Sequence, residues 1–258
     1  MPVHLREVIG YLDTTLEIDR FKDYAPNGLQ VEGALEIERI VTGVSASAEL
    51  IQRAIDVGAD LIVVHHGLVW GPGLAKIAGP LARRLKLLLA NDISLAAYHL
   101  PLDKHVRLGN NTGLCDALAL GATREAFGEV RGAALGLAGT WSPPLAKQEA
   151  INRVAGGVCK GQPPRFVFPY GPEQVRKVGV CSGAASDLLE AAAAIGCDMF
   201  VTGELAERAG DLAKELQITL VAAGHVATEV FGAMRVADEL RMRFPSVETQ
   251  FVFVPNPL

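Results

Sequence analysis

Hydrophobic residues along this chain alternate between two periods. Leu5, Val8, Ile9, Leu12 and Leu16 recur at helical spacing and predict an amphipathic first helix. Ile37 to Ser45 reads as a strand, and Ser47 caps a helix running to about Val57. Next comes Ala59-Asp60-Leu61-Ile62-Val63-Val64-His65-His66-Gly67, whose four consecutive apolar residues predict a strand buried on both faces. A helix through Leu81, Leu85, Leu88 and Leu89 stops near Asn91, and a strand from Ser94 to Tyr98 follows. Strand Ile37 to Ser45, the Ser47 helix and the strand ending at His65-His66 make a β-α-β unit with parallel strands. The Pro and Asn-Gly of Ala25-Pro26-Asn27-Gly28 mark a tight turn, and Trp70-Gly71-Pro72-Gly73 is a loop.

Further on, Asn110 or Asn111 is expected to cap a helix ending at Gly121, a phosphate contact being the other role weighed for the pair. The middle, Phe127 to Tyr170, predicts a strand near Val130 to Leu137, a helix after Pro143-Pro144 and a strand from Arg165 to Phe168. It holds no P-loop or dinucleotide fingerprint. The first pattern then returns. Val41-Thr42-Gly43-Val44-Ser45, a helix, Gly58-Ala59-Asp60 and an apolar strand are echoed by Lys177-Val178-Gly179-Val180-Cys181, a helix, Gly196-Cys197-Asp198 and a strand through Val201. Gly203-Glu204 stands where the first copy has His65-His66. His99 and Asp103 lie four apart after one strand, as His225 and Glu229 do after another, Thr219 to Ala222. The expectation is an α/β protein of two similar β-α-β-containing lobes, 1–125 and 126–258, with a dinuclear metal site between them.

Composition narrows the function classes. The 258 residues are 50% hydrophobic and 21% charged, ordinary for a globular protein with a large core. A net charge of -5 gives no general attraction to nucleic acid or to acidic membranes, so neither is expected as a partner. The start, Met1-Pro2-Val3-His4-Leu5-Arg6, has no basic region leading an apolar core, and no run of about 18 apolar residues occurs. The four cysteines lack close metal-ligand spacing and fit a reducing cytosol, hence a cytoplasmic protein.

Chemistry gathers at strand ends, where open α/β sheets bind ligands. His65, His66, His99, Asp103, His225 and Glu229 give four imidazoles and two carboxylates, more than one closed four-coordinate zinc requires. They suit two metals roughly 3.5–4 Å apart. Nitrogen and oxygen donors without cysteine favour Zn, Fe, Mn, Ni or Co. His225 and Glu229 are placed on one face of a helix opening after Gly224. Pro101 argues against a helix between His99 and Asp103, so a loop is expected to present Asp103. His99 closes the pocket or orients a ligand, and Glu204 is a proton-handling group or a neighbour of a ligand. His4, on the first helix, and His105, in a polar loop, are left outside the site.

The stretches Ala25 to Gly33, Val64-His65-His66-Gly67, His99-Leu100-Pro101-Leu102-Asp103, Val201-Thr202-Gly203-Glu204, Ala222-Ala223-Gly224-His225 and Ala227-Thr228-Glu229 together resemble the GTP cyclohydrolase I type 2 family, also described as Nif-three-like dinuclear metal-centre proteins. The resemblance implies that His65, His66, Asp103, His225 and Glu229 bind two divalent metals, with His99 beside them. It also implies a homohexamer without the inserted middle domain of longer members. The activity implied is hydrolysis of a small anionic substrate such as GTP by hydroxide that the metals generate, with formate lost from the guanine imidazole carbon. His99 and Glu204 are the candidate catalytic groups. The rival functions are a metal-storage or regulatory hexamer without catalysis, and phosphoester or amide hydrolysis by the same two metals.

Overall fold

The computed structural model describes residues 1–71, 73 and 76–257; of the expected 70–73 loop, Pro72 lies outside them. Two compact units emerge, one of Met1–Leu102 with Gly232–Pro255, the other of Asp103–Phe231 with the tail from Asn256.

The first unit runs β1 (Val3–His4), α1 (Leu5–Thr15), β2 (Gly28–Val31), β3 (Glu36–Ile37), β4 (Arg39–Ser45), α2 (Ala48–Asp56), β5 (Leu61–His66), α3 (Gly79–Ala90), β6 (Ser94–Ala97) and the start of α4 (Leu100–Lys104). The second holds α5 (Asn110–Ala117), β7 (Glu125–Val130), β8 (Ala133–Ala146), α6 (Lys147–Gly157), β9 (Phe166–Pro169), β10 (Gln174–Cys181), α7 (Leu189–Ala194), β11 (Met199–Thr202), α8 (Ala209–Glu215) and β12 (Thr219–Ala222). Helix α9 (His225–Arg243) leads the chain back to the first unit, where β13 (Glu248–Phe251) closes it.

The expected division at 125/126 is therefore displaced. Hairpin β7–β8 pairs with β10, and α5 packs on β8 and β10, so residues from Asp103 onward join the second unit. At the other end β13 pairs with β4, and Gly232–Pro255 rejoins the first.

Sheet order is β13-β4-β5-β6-β2 in the first unit and β7-β8-β10-β11-β12-β9 in the second. Strands β4, β5 and β6 are parallel, as are β10, β11 and β12. Each trio ends in an antiparallel edge strand, β2 on β6 and β9 on β12. The central strands are buried along almost their whole length, as their apolar runs predict. Ile62, Val64 and Leu95 meet Leu50, Ile51 and Leu88 in one core; Val178, Val180 and Val201 meet Leu114, Leu118 and Val154 in the other. Ser47 caps α2 as expected, accepting from the Leu50 N–H at 3.1 Å.

Hydrogen bonds fix the register of the internal repeat. Asp60 Oδ2 accepts from the N–H groups of Glu38 and Arg39, both at 2.8 Å. Asp198 Oδ2 does the same for Arg176 and Lys177, at 2.8 and 2.9 Å. Arg39 is thus equivalent to Lys177, which moves the first strand two residues from the alignment that the shared Gly-Val pairs suggest. Ser45 corresponds to Gly183. Tyr98 donates its N–H to the Val64 carbonyl and Ala223 donates to that of Thr202, so Leu100 matches His225. His99 and Asp103 are therefore one position out of step with His225 and Glu229. Glu204 does match His66.

The helix expected after Pro143-Pro144 is α6, whereas Pro101 departs from expectation. Pro143-Pro144 lies within β8, at the irregularity where ladder pairing passes from Leu145–Val175 to Thr140–Lys177 and no ladder donor is needed. Pro101 sits in the first turn of α4, where a missing N–H leaves no intrahelical bond unmade. A short helix, rather than a loop, carries Asp103. Among the described residues no helix is long and apolar enough to cross a membrane.

Candidate metal centre

In the first unit three imidazoles cluster where β5 and β6 end. His65 and His66 are the last residues of β5, with ring centroids 4.5 Å apart. His99, just past β6, lies 5.1 Å from the His65 ring and 5.7 Å from that of His66. Each of the three offers a ligand atom within 4.8 Å of the others.

Their orientation is set by neighbours. His65 is fully buried, and its Nδ1 lies 2.9 Å from the Tyr98 carbonyl. A carbonyl only accepts, so Nδ1 carries the hydrogen and Nε2 the lone pair that a metal needs. His66 Nδ1 is 3.0 Å from Ser45 Oγ on the adjoining strand. His99 Nδ1 lies 2.7 Å from Asp23 Oδ1, which is itself held by Asn27 Nδ2 at 3.0 Å and the Leu100 N–H at 2.8 Å on its other oxygen. Burial would raise the pKa of Asp23, but the hydrogen bond and charge of His99, with Asn27 and Leu100, outweigh it and hold the carboxyl below its ordinary value.

In the second unit Asp103 is buried on α4, and its Oδ1 accepts from Ser182 Oγ at 2.7 Å and Asn110 Nδ2 at 2.9 Å. His225 and Glu229 stand one turn apart on α9, with Nε2 and Oε1 3.1 Å apart. Glu229 also reaches within 4.8 Å of a ligand atom of Asp103. Gly183 makes room for it: its φ of +67° favours glycine, and a Cβ there would fall 2.5 Å from Glu229 Oε1. Glu204 Oε1 takes the other side of His225, 2.7 Å from Nδ1. Burial disfavours protonation of His225, yet Glu229 and then Glu204 outweigh it and raise its pKa to about 9. A divalent cation bound between imidazole and carboxylate replaces such a proton.

The donor set suits borderline divalent cations: imidazole nitrogen and carboxylate oxygen, oriented by carbonyl, hydroxyl, amide and carboxylate partners. Cys181 is no part of it. Burial, and next the charge of Asp103, push its thiol well above the ordinary range, so it offers no thiolate. His4 accepts from the Arg6 N–H as an N-cap, and His105 Nδ1 accepts from the N–H groups of Arg107 and Leu108.

Sequence reasoning missed several partners. Asn110 and Asn111 are not caps, because Gly109 holds the N-cap position of α5. Asn110 bonds Asp103, while Asn111 donates to the Leu135 carbonyl and accepts from the Ser182 N–H. Asn27 and Ser182 had no signal beyond their place beside turn glycines, and Asp23 had none.

Fold and site together define a mixed α/β protein with histidine and carboxylate clusters able to hold metal. The chain belongs to the Duf34/NIF3 (NGG1p interacting factor 3) family, whose profile matches residues 3–257. It is 38% identical over 256 residues to a GTP cyclohydrolase 1 type 2 homolog of Archaeoglobus fulgidus, covering 99% of this chain and 100% of the relative. With the protein of the same name from Salmonella typhimurium it shares 41% over 251 residues, 97% of this chain and 98% of the relative. Among solved structures, protein ybgI, described as of unknown function, superposes with a TM-score of 0.92 at 36% identity, covering 99% of this chain and 100% of that one. A second, TTHA1606 from Thermus thermophilus, gives 0.88 at 32%, with 99% and 100% covered.

Proposed function

We propose that the protein is a metal-dependent hydrolase of a nucleotide or related small anionic substrate. In this reading two divalent cations are held by His65, His66, Asp103, His225 and Glu229. Bound there, the cations would lower the pKa of coordinated water towards neutrality and so supply a nucleophile. The observation that carries the reading is orientation. His65 is anchored through Nδ1 to a backbone carbonyl, and His225 through Nδ1 to Glu204, which directs each Nε2 towards a ligand position.

Support for one shared centre comes from the repeat and from the connectivity. The ends of β5 and β11 are equivalent, as are the starts of α4 and α9 within one residue, and a single helical turn leads from His99 to Asp103. Asp23 orients His99 through Nδ1, so Nε2 is the atom left to exchange a proton with a reacting group. Glu204 positions His225 and bears on the reaction through it. The name carried by the relatives, GTP cyclohydrolase 1 type 2 homolog, makes GTP the first substrate to test.

The test is turnover of the zinc- or manganese-loaded protein on GTP, other nucleotides and phosphoesters, with products identified by mass. Formate release from GTP is expected. Phosphate release instead would make it a two-metal phosphoesterase, and inertness across the panel with full metal content would make it a metal-binding protein without catalysis.

A further inference from the structure

The stretch from Asp23 to Gly33 does more than hold His99. Gln30 Oε1 accepts from the N–H groups of Leu68 and Val69 at 2.8 and 3.1 Å, while Gln30 Nε2 donates to the Pro26 carbonyl at 2.9 Å. Gly67 lies so close to this amide that a Cβ on it would fall 2.2 Å from Gln30 Oε1. The loop leaving β5 is thus clipped to the turn before β2. Gly71 adds a second tie, donating its N–H to the Tyr24 carbonyl at 2.7 Å.

What the two tied segments display is a pair of large aromatic rings. Trp70 is 42% exposed and Tyr24 is 44% exposed. Trp70 is held by its own Nε1–H, which donates to the Gly67 carbonyl at 3.2 Å. Its ring lies 5.2 Å from His99 and 5.9 Å from His66; the Tyr24 ring lies 6.3 Å from His99. A scattered exposed aromatic needs no explanation. Two of them, each touching the imidazole cluster and each pinned through the backbone, form a built rim with fixed π-faces.

We propose that Trp70 and Tyr24 form the stacking platform that seats a flat heteroaromatic ring of nucleobase size beside His66 and His99. Such a ring gains contact area and quadrupole attraction from fixed aromatic faces at little ordering cost, and stacking tolerates every base. The inference rests on the hydrolase reading for its orientation, since the base would lie beside the proposed metal ligands. It names the part of the substrate that this chain grips.

Tryptophan emission reports it directly. The only other tryptophan, Trp141, is buried, with its Nε1–H donating to the Leu118 carbonyl, so ligand-dependent change comes from Trp70. Guanosine, adenosine and GTP, titrated into the metal-free and zinc-loaded protein, are expected to quench it; inorganic triphosphate and ribose 5-phosphate are not. Trp70→Ala should weaken nucleoside binding, read by calorimetry, about 5- to 100-fold, and Tyr24→Ala less. Trp70→Phe should retain most of the affinity, which separates stacking from a folding defect, and melting curves check each variant. Nucleosides that fail to bind, or that bind Trp70→Ala as tightly as the parent, would overturn the platform. Turnover of GTP with unchanged nucleoside affinity in Trp70→Ala would sink the platform alone, whereas ring-dependent quenching without any turnover would sink only the hydrolase reading.

Discussion

At the residue scale, strand-end histidines and four-residue spacings pointed to six candidate groups, and the family resemblance narrowed them to five ligands, but the groups that orient them were not legible. Asp23, Asn110 and Ser182 reach the site from positions far along the chain or in apparent turns, and their roles depend on side-chain geometry that no local pattern encodes. Glu204 was visible through its equivalence to His66, yet it meets His225 across 2.7 Å as a partner. That difference is testable. On the proposed reading His66 is a ligand, so in His66→Ala metal content and melting temperature should fall together, because metal bound only by the folded state stabilises it. Glu204→Gln keeps an oxygen for the His225 Nδ1–H and should retain its metal. Glu204→Ala should lower metal affinity about 10–100-fold. If Glu204→Gln loses metal as completely as His66→Ala, then Glu204 is itself a ligand.

Elements followed the apolar pattern closely where strands are buried and helices capped. Strand β12 and the caps of α2 fall where the sequence places them, because burial and Ser47 are local signals. Two failures share one cause, a proline or asparagine whose usual local meaning was overridden. Pro101 opens a helix, and Asn110 turns inward to Asp103. The register of the repeat was likewise hidden, since the matching Gly-Val pairs carry less information than the aspartate bonds. Asp60 and Asp198 each accept from two backbone N–H groups at the start of the neighbouring strand. Asp60→Ala and Asp198→Ala should each cost about 1–3 kcal/mol in denaturant unfolding, whereas the Asn variants, which keep an acceptor oxygen, should cost less. Losses below about 0.5 kcal/mol would place both among ordinary surface changes and remove them as the fixed points of the repeat.

For the whole molecule, two copies of one β-α-β-α-β pattern have been finished differently. A parallel strand, β13, completes the first sheet and an antiparallel hairpin, β7–β8, the second. Duplication explains why chemistry recurs at the ends of β5 and β11 and at the starts of α4 and α9. The central claim is that both copies serve one dinuclear centre, and anomalous diffraction from crystals grown with manganese or zinc tests it most directly. Two peaks per chain are predicted, together ligated by His65, His66, Asp103, His225 and Glu229, with His99 outside the coordination sphere. A single peak held by His65, His66 and His99, with Asp103 and Glu229 uninvolved, would contradict it.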